Sequence, residues 1–189
     1  PFPSLVTYSS NNLGADSKGA GSFRSTANVS FNFAATQTNI FQLTAGEFTS
    51  RKASLTGTAT DFFTFTQFGD YLIVSNGVDA PQYYLMGTSS VFANLSAIKT
   101  SGTVPTFKVS GVVRDFLVTG NDLTAANKIQ WSGINDIATW EAGTKQSDSQ
   151  DLPGSGGQIT HITSGEISYV FRQNSIIRMD YVGGATVFR

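Results

Sequence analysis

The sequence predicts an all-β chain arranged as a β-propeller-like arc of four-stranded antiparallel blades. Three observations lead there. The composition is rich in Phe, with 15 of them, and the spaces between are crowded with Gly, Ser, Thr and Asn, without runs of helix-forming residues at helical spacing. Many short alternating segments are separated by regular turn signals, which suits a sandwich, barrel or propeller. A repeat of blade length then selects the propeller.

Taken in order, VSFNFAA (29–35) sets Val29, Phe31 and Phe33 on one face and Ser30, Asn32 and Ala34 on the other, the pattern of a half-buried strand. Strands of the same kind are expected at 39–45 (NIFQLTA), 62–68 (FFTFTQF), 71–75 (YLIVS), 82–86 (QYYLM) and 106–113 (TFKVSGVV). Further strands are expected at 115–120 (DFLVTG), 128–132 (KIQWS), 158–163 (QITHIT), 168–173 (SYVFRQ) and 176–182 (IIRMDYV). The intervening FGD, NGVDAP, GND, GIND, LPGSGG, SGE and QNS are turn chemistry.

The segments at 68–85, 113–132 and 165–182 share one plan: a polar step, an aromatic and branched strand, a polar loop and a second strand. Their anchors Tyr71, Phe116 and Tyr169 lie 45 and 53 residues apart, and the weaker segment at 29–43 begins 42 residues before Tyr71. Periods of roughly 40–50 residues are those of propeller blades. The expected organisation is a single β domain over 1–189, a segment of something longer, with blades at 29–60, 61–105, 106–157 and an incomplete one at 158–189. A β-sandwich with coincidental spacing is the alternative architecture.

Charge limits the partners. With 12 basic against 13 acidic residues and a net charge of -1, there is no electrostatic footprint for nucleic acid or anionic lipid. No apolar run approaches the roughly 20 residues of a membrane helix, so no membrane insertion is expected. The absence of Cys removes disulfides and thiolate metal sites and is compatible with folding in a reducing cytoplasm.

Two stretches resemble sites. IQWSGINDIATW (129–140) carries both tryptophans, Trp131 and Trp140, at the ends of a small polar loop. Its Ser132, Thr139 and Trp140 imitate the ends of a sialidase-type Asp-box, but Ile134 stands where that motif needs Asp and the segment is one residue too long. An Asx-type turn at Asn135 and Asp136 is expected instead, with both indoles packed at a blade edge and their N–H groups hydrogen-bonded. In QSDSQDLPGSGG (146–157), Asp148 and Asp151 lack any Ca²⁺-loop spacing, and Gly154, Gly156 and Gly157 lack the Lys-Ser/Thr of a phosphate loop, so a flexible surface loop is expected.

No catalytic, cofactor-binding or metal-binding residue is assigned, and no enzyme activity is expected. His161, the single histidine, alternates with Ile159 and Thr163 on one strand face; no nucleophile elbow is present. Asp61, Asp70, Asp115 and Glu166 recur just ahead of strands, which points to turn chemistry at the blade edges rather than to a catalytic pair.

The strings GDYLIVSNGVDAPQYY, VVRDFLVTG, NKIQWSGINDIATWEAGTKQSDSQDLPGSGGQI and SGEISYVFRQNSIIRMDYVGG, in this order and spacing over roughly residues 60–186, resemble the β-propeller segment of the tail hub or nozzle (tail tubular) proteins of short-tailed bacteriophages. The resemblance implies a structural virion protein, assembled in the host cytoplasm into a homo-oligomer, commonly of six copies. It implies contact with the portal and adaptor complex and with tail fibre or spike proteins, and genomic DNA leaving through the lumen without specific binding. No catalytic residues carry over from that family. The alternative class is a carbohydrate-binding propeller, lectin-like or glycosidase-related, whose exposed Tyr83, Tyr84 and Trp140 would stack on sugars.

Overall fold

The computed structural model describes residues 8–184 and 186–189. Four antiparallel sheets follow one another along the chain. The first holds β1 (Gly19–Arg24), β2 (Ser30–Ala35), β3 (Ile40–Thr44) and β4 (Glu47–Lys52). The second holds β5 (Thr64–Phe68), β6 (Tyr71–Ser75), β7 (Gln82–Leu85) and β8 (Ala93–Asn94). After β9 (Ser101–Gly102) comes the third, with β10 (Phe107–Val113), β11 (Phe116–Asp122) and β12 (Lys128–Trp131); it is completed, beyond the short β13 (Thr139–Trp140), by β14 (Asp148–Asp151). The fourth holds β15 (Ile159–Ile162), β16 (Ile167–Arg172) and β17 (Ile176–Asp180). Past β17 the chain turns back, Tyr181 bridging Phe188 and Asp180 exchanging backbone hydrogen bonds of 2.8 and 2.9 Å with Arg189.

Each sheet is a meander, and the sheets form an arc of blades rather than a closed barrel. Their first strands stand side by side: β1 contacts β5, β5 contacts β10, and β10 contacts β15. The Thr64 and Thr66 hydroxyls donate to the carbonyls of Lys108 and Ser110 at 2.9 and 3.2 Å, so β5 and β10 run in the same direction. Val113 and Gly165 form a parallel bridge next to β10 and β15. Parallel inner strands, each opening a meander that runs outward, are the geometry of blades around a propeller axis.

The core lies between the blades in three separate clusters, one for each interface. Phe33, Ile40 and Leu55 meet Leu72, Val74, Tyr84 and Phe92 between the first two blades. The rings there pack edge to face, Phe33 lying 5.2 Å from Tyr84 and 5.4 Å from Phe92, the orientation favoured by aromatic quadrupoles. Ile73 and Leu95 meet Phe107, Leu117, Ile137 and Trp140 between the second and third. Val113, Phe116, Val118 and Trp131 meet Ile159, Ile162, Val170 and Met179 between the third and fourth. Each such side chain contributes about 1.5–3 kcal/mol on full burial.

The first blade departs from the expected 29–60, because its inner strand β1 begins at Gly19. GAGSFR shows little apolar alternation because two of its three inward positions are glycines lying close under neighbouring groups, and only Phe23 is apolar. A Cβ on Gly19 would stand 2.7 Å from the Phe63 carbonyl oxygen, and one on Gly21 only 2.4 Å from the Phe23 ring. Val29, expected on the buried face of its strand, is 53% exposed in the turn before β2. The second blade's pairing ends at β8; β9 crosses over and pairs in parallel with β13 of the third.

Candidate functional site

The tryptophan loop is built into two interfaces at once. Trp131 is buried in the cluster between the third and fourth blades, and its indole N–H donates to the Gln146 carbonyl at 2.8 Å. Trp140 is buried in the cluster between the second and third, donating to the Ile137 carbonyl at 2.8 Å. Both rings therefore sit deeper than a blade edge. The turn itself is made by Asp136, which accepts from the Ala138 N–H at 2.8 Å and the Thr139 hydroxyl at 2.9 Å, and pairs with the Lys145 ammonium at 2.5 Å. Asn135 differs from expectation: its contribution is left-handed backbone (φ 52), and its own N–H donates to the Asp115 carbonyl.

The carboxylates ahead of strands act mainly as clasps. Asp70 accepts from the backbone N–H and hydroxyl of Thr26 at 2.6 and 2.5 Å, joining the first turns of the first and second blades. Asp79 does the same for Thr56, at 2.9 and 2.6 Å, and also accepts from the Asn76 amide. Asp61 closes a local turn on Thr58 at 2.8 and 2.7 Å and faces Lys108. Glu166 pairs with Arg114 at 2.8 Å between the first turns of the third and fourth blades. Asp115 contributes only its carbonyl, to Asn135.

For Asp61, Asp70, Asp79 and Asp136 these bonds favour the ionised form. Hydrogen bonds from Thr58 lower Asp61 and those from Thr26 lower Asp70. Burial works against ionisation of Asp79 and Asp136, yet both are lowered, by Thr56 and Asn76 in the first case and by Lys145, Ala138 and Thr139 in the second. Among the described residues no group of three or more His, Cys, Asp or Glu comes together as a metal cage.

Three expectations about side chains are corrected. His161 does not share a face with Ile159: a bulge between them shifts the register, burying Ile159 and Ile162 and leaving Thr160 and His161 exposed. Tyr84 and Trp140 are 4% and 3% exposed, so neither offers a platform for a sugar, and Tyr83 is half-buried against the second interface. The stretch 146–157 is not a free loop. Asp148–Asp151 is the outer strand β14, paired with β12, and the glycines beyond it are fastened by Arg172, whose guanidinium donates to the carbonyls of Pro153, Gly154 and Gly157.

Among the described residues, the two end faces of the arc remain open. On the fourth blade, cross-strand register puts Ile167, Tyr169 and Phe171 of β16 beside Asp180, Arg178 and Ile176 of β17. Ile167, Tyr169 and Ile176 are 45%, 43% and 62% exposed. At the other end, the first blade has a hollow of about 410 Å³ floored by Ala20, Ser22 and Ala34 and walled by Leu43 and Phe48. The sequence already displayed the first of these faces, as alternation in ISYVF, but alternation alone does not say which face is covered. Comparison of the sequence with protein-family models finds no match, and a search of curated proteins finds none either.

Proposed function

We propose that this chain is a non-enzymatic structural component of a bacteriophage tail. In this reading it belongs to the hub or nozzle below the portal and adaptor and works in the virion as a multimer forming part of the conduit for DNA ejection. The observation that carries the reading is the open arc: each of three interfaces holds a buried apolar cluster, and apolar faces at both ends could receive further blades or neighbouring protomers. An arc with apolar end faces left to be covered suits a component of a larger assembly such as a tail.

Two further features support it. The recurrent carboxylates are engaged in clasping turns, several of them between blades, which is mechanical work. The near-neutral charge favours a conduit that DNA leaves easily, since each Lys or Arg contact to phosphate would add salt-dependent retention. The ordered resemblance at 60–186 is what directs this reading to a phage tail rather than to another assembly.

The test is to purify the full-length protein, measure its mass in solution, and mix it with the cognate portal and adaptor complex. A multimer that joins the complex and is found in purified virions is expected. A strict monomer that does neither would overturn the proposal, and glycosidase or lectin activity in the same preparation would replace it.

A further inference from the structure

We propose that the hollow between the 153–157 loop and the turn joining β16 to β17 binds a compact oxyanion such as phosphate, sulfate or a small carboxylate. Arg172 carries the argument. It is only 6% exposed, and among the described residues its guanidinium takes part in no ion pair. Its Nε donates to the Gly157 carbonyl at 3.0 Å, Nη1 to Pro153 at 2.7 Å and Nη2 to Gly154 at 3.1 Å. Of the five N–H groups on a guanidinium, two are left without an acceptor among the described residues. The three carbonyl dipoles orient the cation but supply no negative charge, and a buried charge without a counterion is costly.

A second observation is independent of the first. The Ser175 hydroxyl oxygen is buried and has no hydrogen-bond partner among the described residues, although buried hydroxyls are rarely left so. Ser175 and Arg172 converge on Gly156: a Cβ there would stand 2.2 Å from Ser175 Oγ and 2.6 Å from Arg172 Cζ. Glycine here lets the loop backbone close directly against both side chains. Both side chains line one hollow of about 420 Å³ together with Ser155 and Asn174. The loop is zipped to the turn beside it, Asn174 N–H donating to the Gly156 carbonyl at 2.9 Å and Gln173 N–H to the Gln158 carbonyl at 3.1 Å, so the donors are held in place.

Donors in excess, one full positive charge and no acid among the residues lining the hollow select an anion rather than a neutral ligand or a cation. Two guanidinium N–H groups suit two oxygens of one oxyanion, and the Ser175 hydroxyl suits a third contact. A water molecule would satisfy a donor and leave the charge unmatched. The site stands independently of the tail assignment.

The experiment is titration of the 189-residue chain with inorganic phosphate, sulfate and acetate at constant ionic strength, with chloride as reference. Isothermal calorimetry would be followed alongside the arginine Nε–H resonances by NMR. Saturable binding of one oxyanion per chain is expected, with the Arg172 resonance moving and that of exposed Arg178 unmoved. Ser175→Ala keeps Arg172 and the loop and is expected to weaken binding about tenfold; Arg172→Lys is expected to abolish it. Equal responses to chloride and phosphate, or unchanged affinity in Ser175→Ala, would overturn the proposal even if the Arg172 variant fails to fold.

Discussion

Replacing Trp140 by alanine tests most directly how the blades are held together. The ring is 3% exposed and packs among Ile73, Leu95, Phe107, Leu117 and Ile137, residues drawn from two blades and the connections around them. Truncating a buried tryptophan costs about 3–5 kcal/mol, the upper part of that range applying where the cavity cannot collapse. Collapse is restrained here because β9 pairs in parallel with β13, which holds the Trp140 backbone in place. Removing the indole N–H also strips the Ile137 carbonyl of its 2.8 Å partner. Against a total stability of about 5–15 kcal/mol, this is roughly a fifth or more of the whole.

The assay is urea unfolding followed by far-UV circular dichroism and by the fluorescence of the remaining Trp131. For a chain of this size, about 3–5 kcal/mol corresponds to a fall in Tm of roughly 6–20 °C. Trp140→Phe retains most of the apolar volume and loses the donor, so a smaller loss, about 1–3 kcal/mol, is expected. A loss under about 1 kcal/mol for Trp140→Ala would refute the claim that this ring holds the second and third blades together.

Three other outcomes follow from the same structure. Because Asp61, Asp70, Asp79 and Asp136 have folded-state pKa values below the ordinary one, their stabilisation is complete above the unfolded value of about 3.9 and is lost as pH falls through the folded values. Urea midpoints should therefore fall from about pH 4 downward, and less steeply in Asp79→Asn and Asp136→Asn, which start from a lower midpoint at neutral pH. Gly19→Val, which sets a branched side chain against the Phe63 carbonyl, is expected to cost at least the ~1–3 kcal/mol of an overpacked core, read by thermal unfolding; a neutral result would mean that the inner strands are looser than described. For association, Ile176→Glu on one end face and Leu43→Glu on the other should each reduce multimers in sedimentation velocity. A mixture of the two should recover a single contact, as a head-to-tail interface requires; a mass unaffected by either substitution would remove the end faces from the assembly.

How much of this was legible in the sequence depended on where each strand lies in its blade. The middle strands β2, β6, β11 and β16 carry large apolar residues alternating across a packed sheet, and FLV and YLIV announce them. The innermost strand of the first blade was silent because close approach had replaced its side chains with glycine, at Gly19 and Gly21. The outer strands β4 and β14 were silent for the opposite reason: EFTSRK and DSQD are mostly solvated, so nothing selects an apolar period. The local turn chemistry at Asp136 was readable, since an Asx turn is made within three residues. Clasps such as Thr26 to Asp70 were not, because their partners lie 44 residues apart and meet only once the blades are in place.

That separation recurs, and it explains the repeat. Contacts between neighbouring first strands or their turns join residues 44 apart from the first blade to the second, and again 44 apart from the second to the third. From the third to the fourth the separation is 52, as between Val112 and Ser164. A shared offset is what a rotation carrying one blade onto the next must produce, so the spacing of Tyr71, Phe116 and Tyr169 reflects blade geometry. The longer third step has a location: the third blade alone carries the excursion from Ser132 to Ser147 between its third and fourth strands. That excursion is the tryptophan loop, with β13 and the Asp136 turn inside it. The added length puts Trp140 into the interface before its own blade, while Trp131 at its root fills the one after. Shortening the loop to restore an even repeat would therefore take Trp140 out of the second interface and is expected to loosen the arc there first, seen as early loss of amide protection in Ile73 and Leu117 while Val170 stays protected. Simultaneous loss at all three positions would mean that the blades unfold as one unit and that the loop has no local role.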